Sequence, residues 1–428
     1  MDFKKISIFQ IALIAVFVAA AIGGLILFAR YKGSSEAQNL PTAEIWGVMP
    51  ETQIAAIKES LRDDETFKIN YTEKRPELFY NNLIEALAAG NGPDLIIIPE
   101  NLLRKLRSKI FTIPFETISE RIFRDTYLDE GELFLTAEGA AALPFGVDPL
   151  VMYWNRDTFA SAGLAKPPAI WDEFILLAQT LTDKDLNGNV FRSAVALGEF
   201  DNITNAKEIL SALFLQIGAP PLAPPSIGRA ASGGANSANG STALNFYTQF
   251  SNPLGLTYSW NKSLPSSRDA FLAGDLAIYF GFASELAELR ARNPNLYFDV
   301  AAFPQPKGAK KSLTFGKLYG AAVLKSSKDI ANSARVAFLL TSNQALKAFS
   351  QKSGWPPVRR DLLVAKPTDA FGALFYDAAL KSRGWLDPDY YATAAAFKEM
   401  IESVSSGKAR PTEAVSKMEG EINKLIAR

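Results

Sequence analysis

Neither cysteine nor histidine occurs anywhere in the 428 residues of the sequence. Without cysteine, the chain has no disulfide, no thiolate metal site, no cysteine nucleophile and no N-terminal cysteine for lipid attachment. Without histidine, it lacks the commonest general base, the usual ligand of transition metals and any Ser-His-Asp arrangement. We therefore expect a protein that is not an enzyme and that carries no cofactor or metal.

The chain also has no excess of charge of either sign, since Lys and Arg total 45 and Asp and Glu total 45. A neutral chain has no long-range attraction to a polyanion, so we expect no nucleic-acid partner. Hydrophobic residues make up 48% of the sequence, which is enough to fill the cores of two domains or of one large bilobal unit.

A long apolar segment, Ile6–Ala29, stands near the N-terminus between basic residues. At about 1.5 Å rise per residue, a helix of this length spans a hydrocarbon core of about 30 Å. We predict an uncleaved transmembrane signal anchor over residues 6–29, with residues 1–5 in the cytoplasm, residues 30–41 as a tether and the soluble part on the outer side of the cell membrane. A cleaved signal peptide is the alternative, because Ala19–Ala21 offers the small residues of a cleavage site.

After the tether, apolar patterns of period two alternate with patterns of helical period. They predict the order βαβαβ, with elements at Thr42–Val48, 52–62, Lys68–Tyr71, 76–90 and Leu95–Ile98. The last strand is apolar throughout, as in a parallel sheet that is covered on both faces, so we predict a doubly wound α/β sheet. Ligands bind such sheets beyond the carboxyl ends of the strands, which here are Trp46–Glu51 and Pro99–Asn101.

Later segments resemble, in order, the signature of one known family. LPFGVDPLVMYWNRDTFASAGLAKPPAIWDEF (Leu143–Phe174) is similar to a hinge strand that ends in Tyr-x-Asn-x-Asp, followed by Ala-Gly-Leu, a proline pair and Trp-Asp-Glu-Phe. The other segments are AFLAGDLAIYFGFASEL (Ala270–Leu286), GAAVLKSSKDIANSARVAFLLTSNQALKAF (Gly320–Phe349), WPPVRRDLL (Trp355–Leu363) and MIESVSSGKARPTEAVSKMEGEINKLI (Met400–Ile426). Together they resemble the extracellular solute-binding proteins of ABC importers, the maltose-binding-protein-like class.

This resemblance implies an α/β, bilobal, periplasmic-binding-protein type II fold, in which two doubly wound lobes joined by hinge strands close on a solute. The implied lobes are residues 42–143 plus 320–352 and residues 144–319 plus 353–428, with a flexible loop rich in Pro, Gly and Ser over 220–241. The chain departs from the family pattern in lacking a lipid-accepting Cys. It also has Ala394-Ala395 where maltose-type members carry a sugar-stacking aromatic pair.

The strand ends and the resemblance together indicate a set of candidate ligand-binding residues. Sugars are bound by aromatic faces and by carboxylate or amide groups, and the set contains both types. For each candidate, packing in the core, a hydrogen-bonded partner within the protein or a plain surface turn is the alternative. The candidates are Trp46, Glu100, Asn101, Asp148, Trp260, Asn261, Gly281, Phe282, Tyr319, Trp355 and Trp385.

One further motif, DKDLNGN (Asp183–Asn189), has the spacing at which a calcium loop begins. Its twelfth position is Ala194, where an EF-hand loop needs Glu. We therefore favour an Asx-Gly turn over a calcium site.

These observations predict a binding protein that captures a small solute, a mono- or oligosaccharide, and delivers it to the permease subunits of an ABC importer. The first alternative is a glycoside-acting enzyme that uses two carboxylates, because that reaction needs no histidine. The second is a membrane-tethered sensor or scaffold that uses the same fold.

Overall fold

Apolar runs of the sequence form strands in the computed structural model, which describes residues 42–62, 68–222 and 237–427. The strands are β1 (Thr42–Gly47), β2 (Lys68–Glu73), β3 (Leu95–Pro99), β4 (Ile113–Pro114), β5 (Gly139–Ala140), β6 (Leu143–Asn155), β7 (Asp183–Lys184), β8 (Val190–Val195), β9 (Leu276–Phe282), β10 (Phe298–Ala301), β11 (Thr314–Val323) and β12 (Ser382–Arg383). All 13 residues of β6 are buried. This burial explains why β6 is mostly apolar and lacks the alternation of a strand with one exposed face.

Segments with helical period form helices, and Ser, Asn or Asp side chains cap the N-termini of several of them. The helices are α1 (Glu51–Ser60), α2 (Pro76–Ala88), α3 (Glu100–Leu106), α4 (Glu120–Thr126), α5 (Arg156–Ser161), α6 (Glu173–Leu181), α7 (Ala206–Gln216), α8 (Ser237–Thr248), α9 (Ser267–Ala273), α10 (Leu286–Arg292), α11 (Ile330–Leu340), α12 (Asn343–Ser353), α13 (Arg360–Leu363), α14 (Ala370–Lys381), α15 (Tyr390–Ser405) and α16 (Pro411–Ala427). Short 3-10 helices cover Asp129–Phe134, Gln249–Ser251 and Ala283–Glu285.

The main sheet has the order β2-β1-β3-β11-β6-β9-β8-β7, with β10 paired to β6 and β12 paired to β11. β1 and β3 are parallel, as the predicted βαβαβ order requires. β11 runs antiparallel to both β3 and β6, so the sheet is mixed where the two long strands meet. The first part of β6 pairs with β11, and from Leu150 onward it pairs with β9. β6 is therefore shared by two halves of the sheet.

Residues 43–62, 69–222 and 237–427 lie in one compact unit. Within it, one large hydrophobic cluster draws its members from residues 150–315 and 371–426. The segment Trp355–Leu363 packs elsewhere, against Phe349 of α12 and Leu128, and Phe349 in turn contacts Phe145 in the first part of β6. The Trp355 ring centre lies 6.0 Å from that of Phe349, and the N–H of Leu128 donates to the carbonyl of Val358 at 3.0 Å.

The predicted flexible loop over residues 220–241 is only partly a loop. Helix α8 begins at Ser237, inside this segment, while residues 223–236 lie outside the described chain. The small residues at the start of α8 permit close packing on α16, since a Cβ on Gly240 would lie 2.9 Å from a methyl carbon of Val415. In residues 237–241, the small residues that indicated a loop belong to the start of a helix.

The predicted membrane anchor and tether, residues 6–41, also lie outside the described chain. Among residues 42–62, 68–222 and 237–427, no helix combines the length and the apolar character needed to cross a bilayer.

Candidate functional site

A gap in the sheet lies along the edge of β11 that faces β3 and β12. On this edge β3 pairs with Tyr319–Val323, and β12 pairs with Thr314 and Phe315. Between the two pairings no strand lies beside β11. There the N–H of Leu318 donates instead to the carboxyl group of Glu100, at 2.9 Å. The residues that follow the carboxyl end of β3 therefore lie against β11, at the position where open α/β sheets bind ligands.

A narrow pocket opens at this gap. Its free volume is about 20 Å³, which is room for one ordered water molecule. The walls come from α3, α7, β11 and the segment between β12 and α15. The lining residues are Glu100, Asn101, Lys207, Glu208, Ser211, Phe315, Lys317, Trp385, Asp387 and Tyr390.

One ion pair in the pocket wall is buried. The ammonium of Lys207 contacts the carboxylate of Asp387, and each side chain is 6% exposed. The same ammonium donates to Oγ of Thr393 at 2.6 Å and to the main-chain oxygen of Tyr390 at 3.1 Å. Because these contacts use all of its N–H bonds, Lys207 holds the segment before α15 against α7 and has none left for a solute.

Other groups in the wall keep free hydrogen-bonding capacity. The ammonium of Lys317 lies 3.9 Å from the ring centre of Phe282 and 3.9 Å from the carboxylate of Glu208. Glu208 accepts a hydrogen bond from the Tyr390 hydroxyl at 3.2 Å, through one of its two oxygens. Within the described chain, neither the Lys317 ammonium nor the Asn101 amide makes a side-chain hydrogen bond. Donors and acceptors with unused capacity suit a solute that carries several hydroxyl groups.

Carboxyl groups at the gap are almost completely buried. Burial raises the pKa of Glu100 to about 8, although the nearby Lys317 opposes this rise. Burial, and then repulsion by Glu100, raises the pKa of Glu130 to about 8. Burial likewise raises the pKa of Asp148 to about 7, although the N–H of Ser284 donates to it at 2.9 Å. The protonation state of these carboxyl groups therefore changes near neutral pH, where ordinary carboxyl groups are fully ionised.

The gap brings together several of the predicted ligand-binding residues. Glu100, Asn101 and Trp385 line the pocket. Asp148 on β6 lies directly opposite Lys317 on β11, and Phe282 lies under the Lys317 ammonium.

Two more predicted residues, Tyr319 and Trp355, form an aromatic pair next to the gap. Tyr319 is two residues beyond Lys317, so it shares that face of β11. Its ring centre lies 5.3 Å from that of Trp355, which is 9% exposed.

Trp260 and Asn261 are not at the gap. Trp260 is 1% exposed, and its indole N–H donates to Oδ1 of Asn202 at 3.1 Å. Trp260 therefore packs in the core and does not line the pocket. Asn261 forms a local turn in which its Oδ1 accepts the N–H of Ser263 at 2.9 Å.

Trp46 and Gly281 have local roles in their strands. Trp46 is partly buried on β1, and the ammonium of Lys74 lies 3.9 Å from its ring centre. Gly281 is required by packing, since a Cβ there would lie 2.5 Å from the Tyr279 ring. Neither residue lines the pocket.

The sequence did not indicate Lys207, Glu208, Ser211, Phe315, Lys317, Asp387 or Tyr390 as site residues. Lys207 and Glu208 precede an apolar stretch near the start of α7, and every residue from Ala206 to Phe214 is buried. A helix that is apolar on all faces has no side that faces solvent. A charged pair at the start of such a helix is therefore the signal that could have pointed to Lys207 and Glu208.

The DKDLNGN segment forms the expected Asx-Gly turn. Oδ1 of Asp185 accepts the N–H groups of Asn187 and Asn189, each at 2.8 Å, and its other oxygen accepts the Asn189 side-chain amide. Across the described residues, no group of three or more Asp or Glu side chains is arranged to hold a metal ion.

Known proteins with a similar sequence or fold are binding proteins. A protein of Brucella abortus (strain 2308) that is named as a binding protein is 22% identical over 413 residues, which cover 93% of this chain and 96% of that protein. The cyclic alpha-maltosyl-1,6-maltose binding protein of Arthrobacter globiformis has a TM-score of 0.72 at 18% identity, over 90% of this chain and 99% of that chain. A cyclo/maltodextrin-binding protein in complex with maltotetraose has a TM-score of 0.71 at 16% identity, over 90% of this chain and 97% of that chain.

These structural similarities establish a shared α/β solute-binding fold. The family model of the bacterial extracellular solute-binding proteins matches residues 67–346, which is well over half of the sequence. The relatives are substrate-binding proteins and not enzymes. The chain therefore belongs to the bacterial extracellular solute-binding protein family.

Proposed function

We propose that this protein captures a small carbohydrate in the pocket at the gap beside β11 and delivers it to the permease of an ABC importer. The observation that carries the proposal is the composition of the pocket wall. The rings of Phe315 and Trp385 stand beside the unused hydrogen-bonding groups of Asn101, Glu208 and Lys317. Rings pack against the C–H faces of sugars, while amide, ammonium and carboxylate groups bond their hydroxyls.

The solutes of similar proteins support a carbohydrate. The structures with this fold include proteins whose ligands are maltotetraose, alpha-D-tagatose and mannotriose. At identities of 16–19% these similarities do not define the solute of this chain, so the pocket wall is the stronger argument.

We propose that the two halves of the sheet belong to two lobes that separate to admit the solute. The large hydrophobic cluster supports a second lobe that contains residues 150–315 and 371–426. The contacts of Trp355–Leu363 with Phe349 and Leu128 favour a lobe boundary near Phe371 rather than at residue 353. A pocket of about 20 Å³ is too small for a sugar, so binding requires the walls to move apart and close again.

We also propose that residues 6–29 anchor the protein in the cell membrane, with the binding part on the outer side. The length of the apolar segment supports an anchor. The sequence has no Cys that could carry a lipid in place of this segment. A tether of residues 30–41 would keep the binding part at high local concentration near a permease.

A thermal-shift screen of sugars and polyols, followed by calorimetry on the best compound, tests this function. A true solute should stabilise the protein by about 2.7 kcal/mol at a hundredfold excess over its Kd. Asn101→Ala should weaken binding about tenfold, by loss of hydrogen bonds that are well made only in the complex. The matched control is Asn245→Ala, which lies on α8 outside the pocket. If no carbohydrate binds, or if Asn101→Ala and the control bind the sugar equally well, this assignment of the site is wrong.

A further inference from the structure

Three buried carboxyl groups surround the gap without an ion-pair partner. Glu100, Glu130 and Asp148 are 5%, 2% and 3% exposed, respectively. Glu100 lines the pocket, and Asp148 lies opposite Lys317 on the neighbouring strand. Within the described chain, none of the three has a Lys or Arg nitrogen within 4.0 Å.

Among the described residues, the cations near the gap make their ion pairs with other carboxylates, although Lys317 forms no hydrogen bond in its pair. Lys207 is paired with Asp387, and Lys317 is shared between Glu208 and the Phe282 ring. Lys105 is paired with Asp389 at 2.7 Å, and Arg383 contacts Asp129. Arg268 pairs with Glu285 at 2.9 Å on the side of Asp148. Arg360 also contacts Asp129. Lys317 and Arg383 act on the three buried carboxyl groups only from a distance, since no cation of the described residues forms a direct ion pair with them.

Among the three carboxyl groups, Glu130 shows the lack of a direct partner most clearly. Both of its carboxyl oxygens are buried and have no hydrogen-bond partner among the described residues. A Cβ on Gly316 would lie 2.5 Å from one of these oxygens, and a Cβ on Gly384 would lie 2.9 Å from the other. These glycines precede the pocket residues Lys317 and Trp385 in the chain, so Glu130 lies directly behind the pocket wall.

Buried carboxyl groups without an ion-pair partner either hold a proton or receive a positive charge from outside. We propose that the solute supplies that charge, and that it is a sugar with a primary ammonium group, bound beside Glu100. This inference rests on the proposed function and narrows its class of solute. The ammonium takes the place of the missing counterion, and the Trp385 ring and the Asn101 amide bind the sugar ring and its hydroxyls.

Binding of an ammonium sugar should change the protonation of Glu100, whereas binding of a neutral sugar should not. Its charge stabilises the ionised form of Glu100, whose raised pKa indicates that it is largely protonated at neutral pH in the empty protein. Binding should therefore release a proton to the buffer. A neutral sugar bonded to the protonated carboxyl group releases none.

Calorimetry on the full chain in detergent micelles tests this inference. The probes are D-glucosamine, D-galactosamine and D-mannosamine, each compared with its parent hexose and with its N-acetyl derivative, which keeps the ring but loses the charge. At least one amino sugar should bind about tenfold more tightly than both of its neutral counterparts. Titrations in buffers with different ionisation enthalpies should show release of up to about one proton per sugar near pH 7.

Two variants test whether the preference for amino sugars depends on Glu100. Glu100→Gln should remove most of the preference for the amino sugar, a change of about tenfold, and should abolish proton release. The control is Glu116→Gln, an exposed residue away from the pocket, which should leave both unchanged. A circular-dichroism melting curve checks that each variant folds.

The possible failures are distinguishable. If neutral sugars bind as tightly as amino sugars, this inference is overturned and the carbohydrate-binding function stands. If the preference persists in Glu100→Gln, the placement of the ammonium is wrong. If no sugar of either kind binds, the proposed function itself falls, and this inference with it.

Discussion

The ammonium of Lys105, in the last turn of α3, lies 2.7 Å from the carboxylate of Asp389, the residue that precedes α15. The same carboxylate caps α15 by accepting the N–H groups of Tyr391 and Ala392, each at 3.1 Å. α3 begins with Glu100 and α15 with Tyr390, and both of these residues line the pocket. The ion pair therefore joins the two walls of the gap at its rim.

Lys105→Met should weaken solute binding by about two- to fivefold, because a partly exposed ion pair contributes up to about 1 kcal/mol to the closed form. The difference from wild type should shrink at high salt, which screens the pair. Calorimetry at two salt concentrations measures both effects. Lys366→Met is the control, since it removes an ion pair of 2.6 Å with Asp377, away from the pocket. Equal affinities of Lys105→Met and wild type at low salt would contradict a role in closure.

Lys207→Met should lower the free energy of unfolding by about 3–5 kcal/mol, because it leaves the buried carboxylate of Asp387 without its cation. The double variant Lys207→Met/Asp387→Leu should be more stable than Lys207→Met alone, since it also removes the stranded charge. Urea denaturation measures both. Lys398→Met, which breaks an exposed pair with Asp201, is the control and should cost less than about 1 kcal/mol. A double variant that is no more stable than Lys207→Met alone would argue against this account.

Glu130→Gln should become more stable relative to wild type as the pH rises. The pKa of Glu130 is about 8 in the folded protein and 4.5 in its ordinary state, so the folded protein holds an extra proton between these values. Wild-type stability therefore falls as pH rises from about 4.5 to about 8, and the variant lacks this loss. The expected gain from about pH 5 to pH 8 is of the order of 1–3 kcal/mol, from denaturation curves at each pH. Parallel pH profiles for the two proteins would show that Glu130 is ionised in the fold.

Trp385→Phe should reduce solute affinity about threefold to tenfold, because the smaller ring covers less of the sugar and cannot donate to Oγ of Ser211. Trp260→Phe is the matched control. It removes the bond to Asn202 in the core and should lower the melting temperature while leaving affinity unchanged. Calorimetry and thermal melts on both variants separate the two effects. A loss of affinity only in Trp260→Phe would mean that the solute binds elsewhere.

Elements with a strong local signal could be predicted from the sequence. β6 ends at Asn155, as the resemblance to a hinge strand ending in Tyr-x-Asn-x-Asp implies, and its sequence is mostly apolar. α2 begins at Pro76 as predicted, since proline fits the first turn of a helix. The start of α8 at Ser237 was missed because Ser, Ala, Asn and Gly there are poor helix signals, and only the contact with α16 makes them suitable.

The site was harder to predict because its residues are far apart in the sequence and come together only in the folded protein. Glu100 and Asn101, which were predicted from the rule that ligands lie beyond strand ends, line the pocket. Lys317 was missed because a lysine within a strand is typical of a solvent-exposed face, and nothing local indicates that β3 ends before reaching it. The core position of Trp260 was not predicted, because its indole N–H bonds to Asn202, a residue far away in the sequence.

The shared strand β6 has a consequence for how the protein denatures. Its first part completes one group of strands and its second part another, with the change of partner at Pro149 and Leu150. If either group melted alone, the other would be left with a mostly apolar strand whose continuation is exposed to water. Heating should accordingly give one cooperative transition, even though the chain is large enough for two independent folding units.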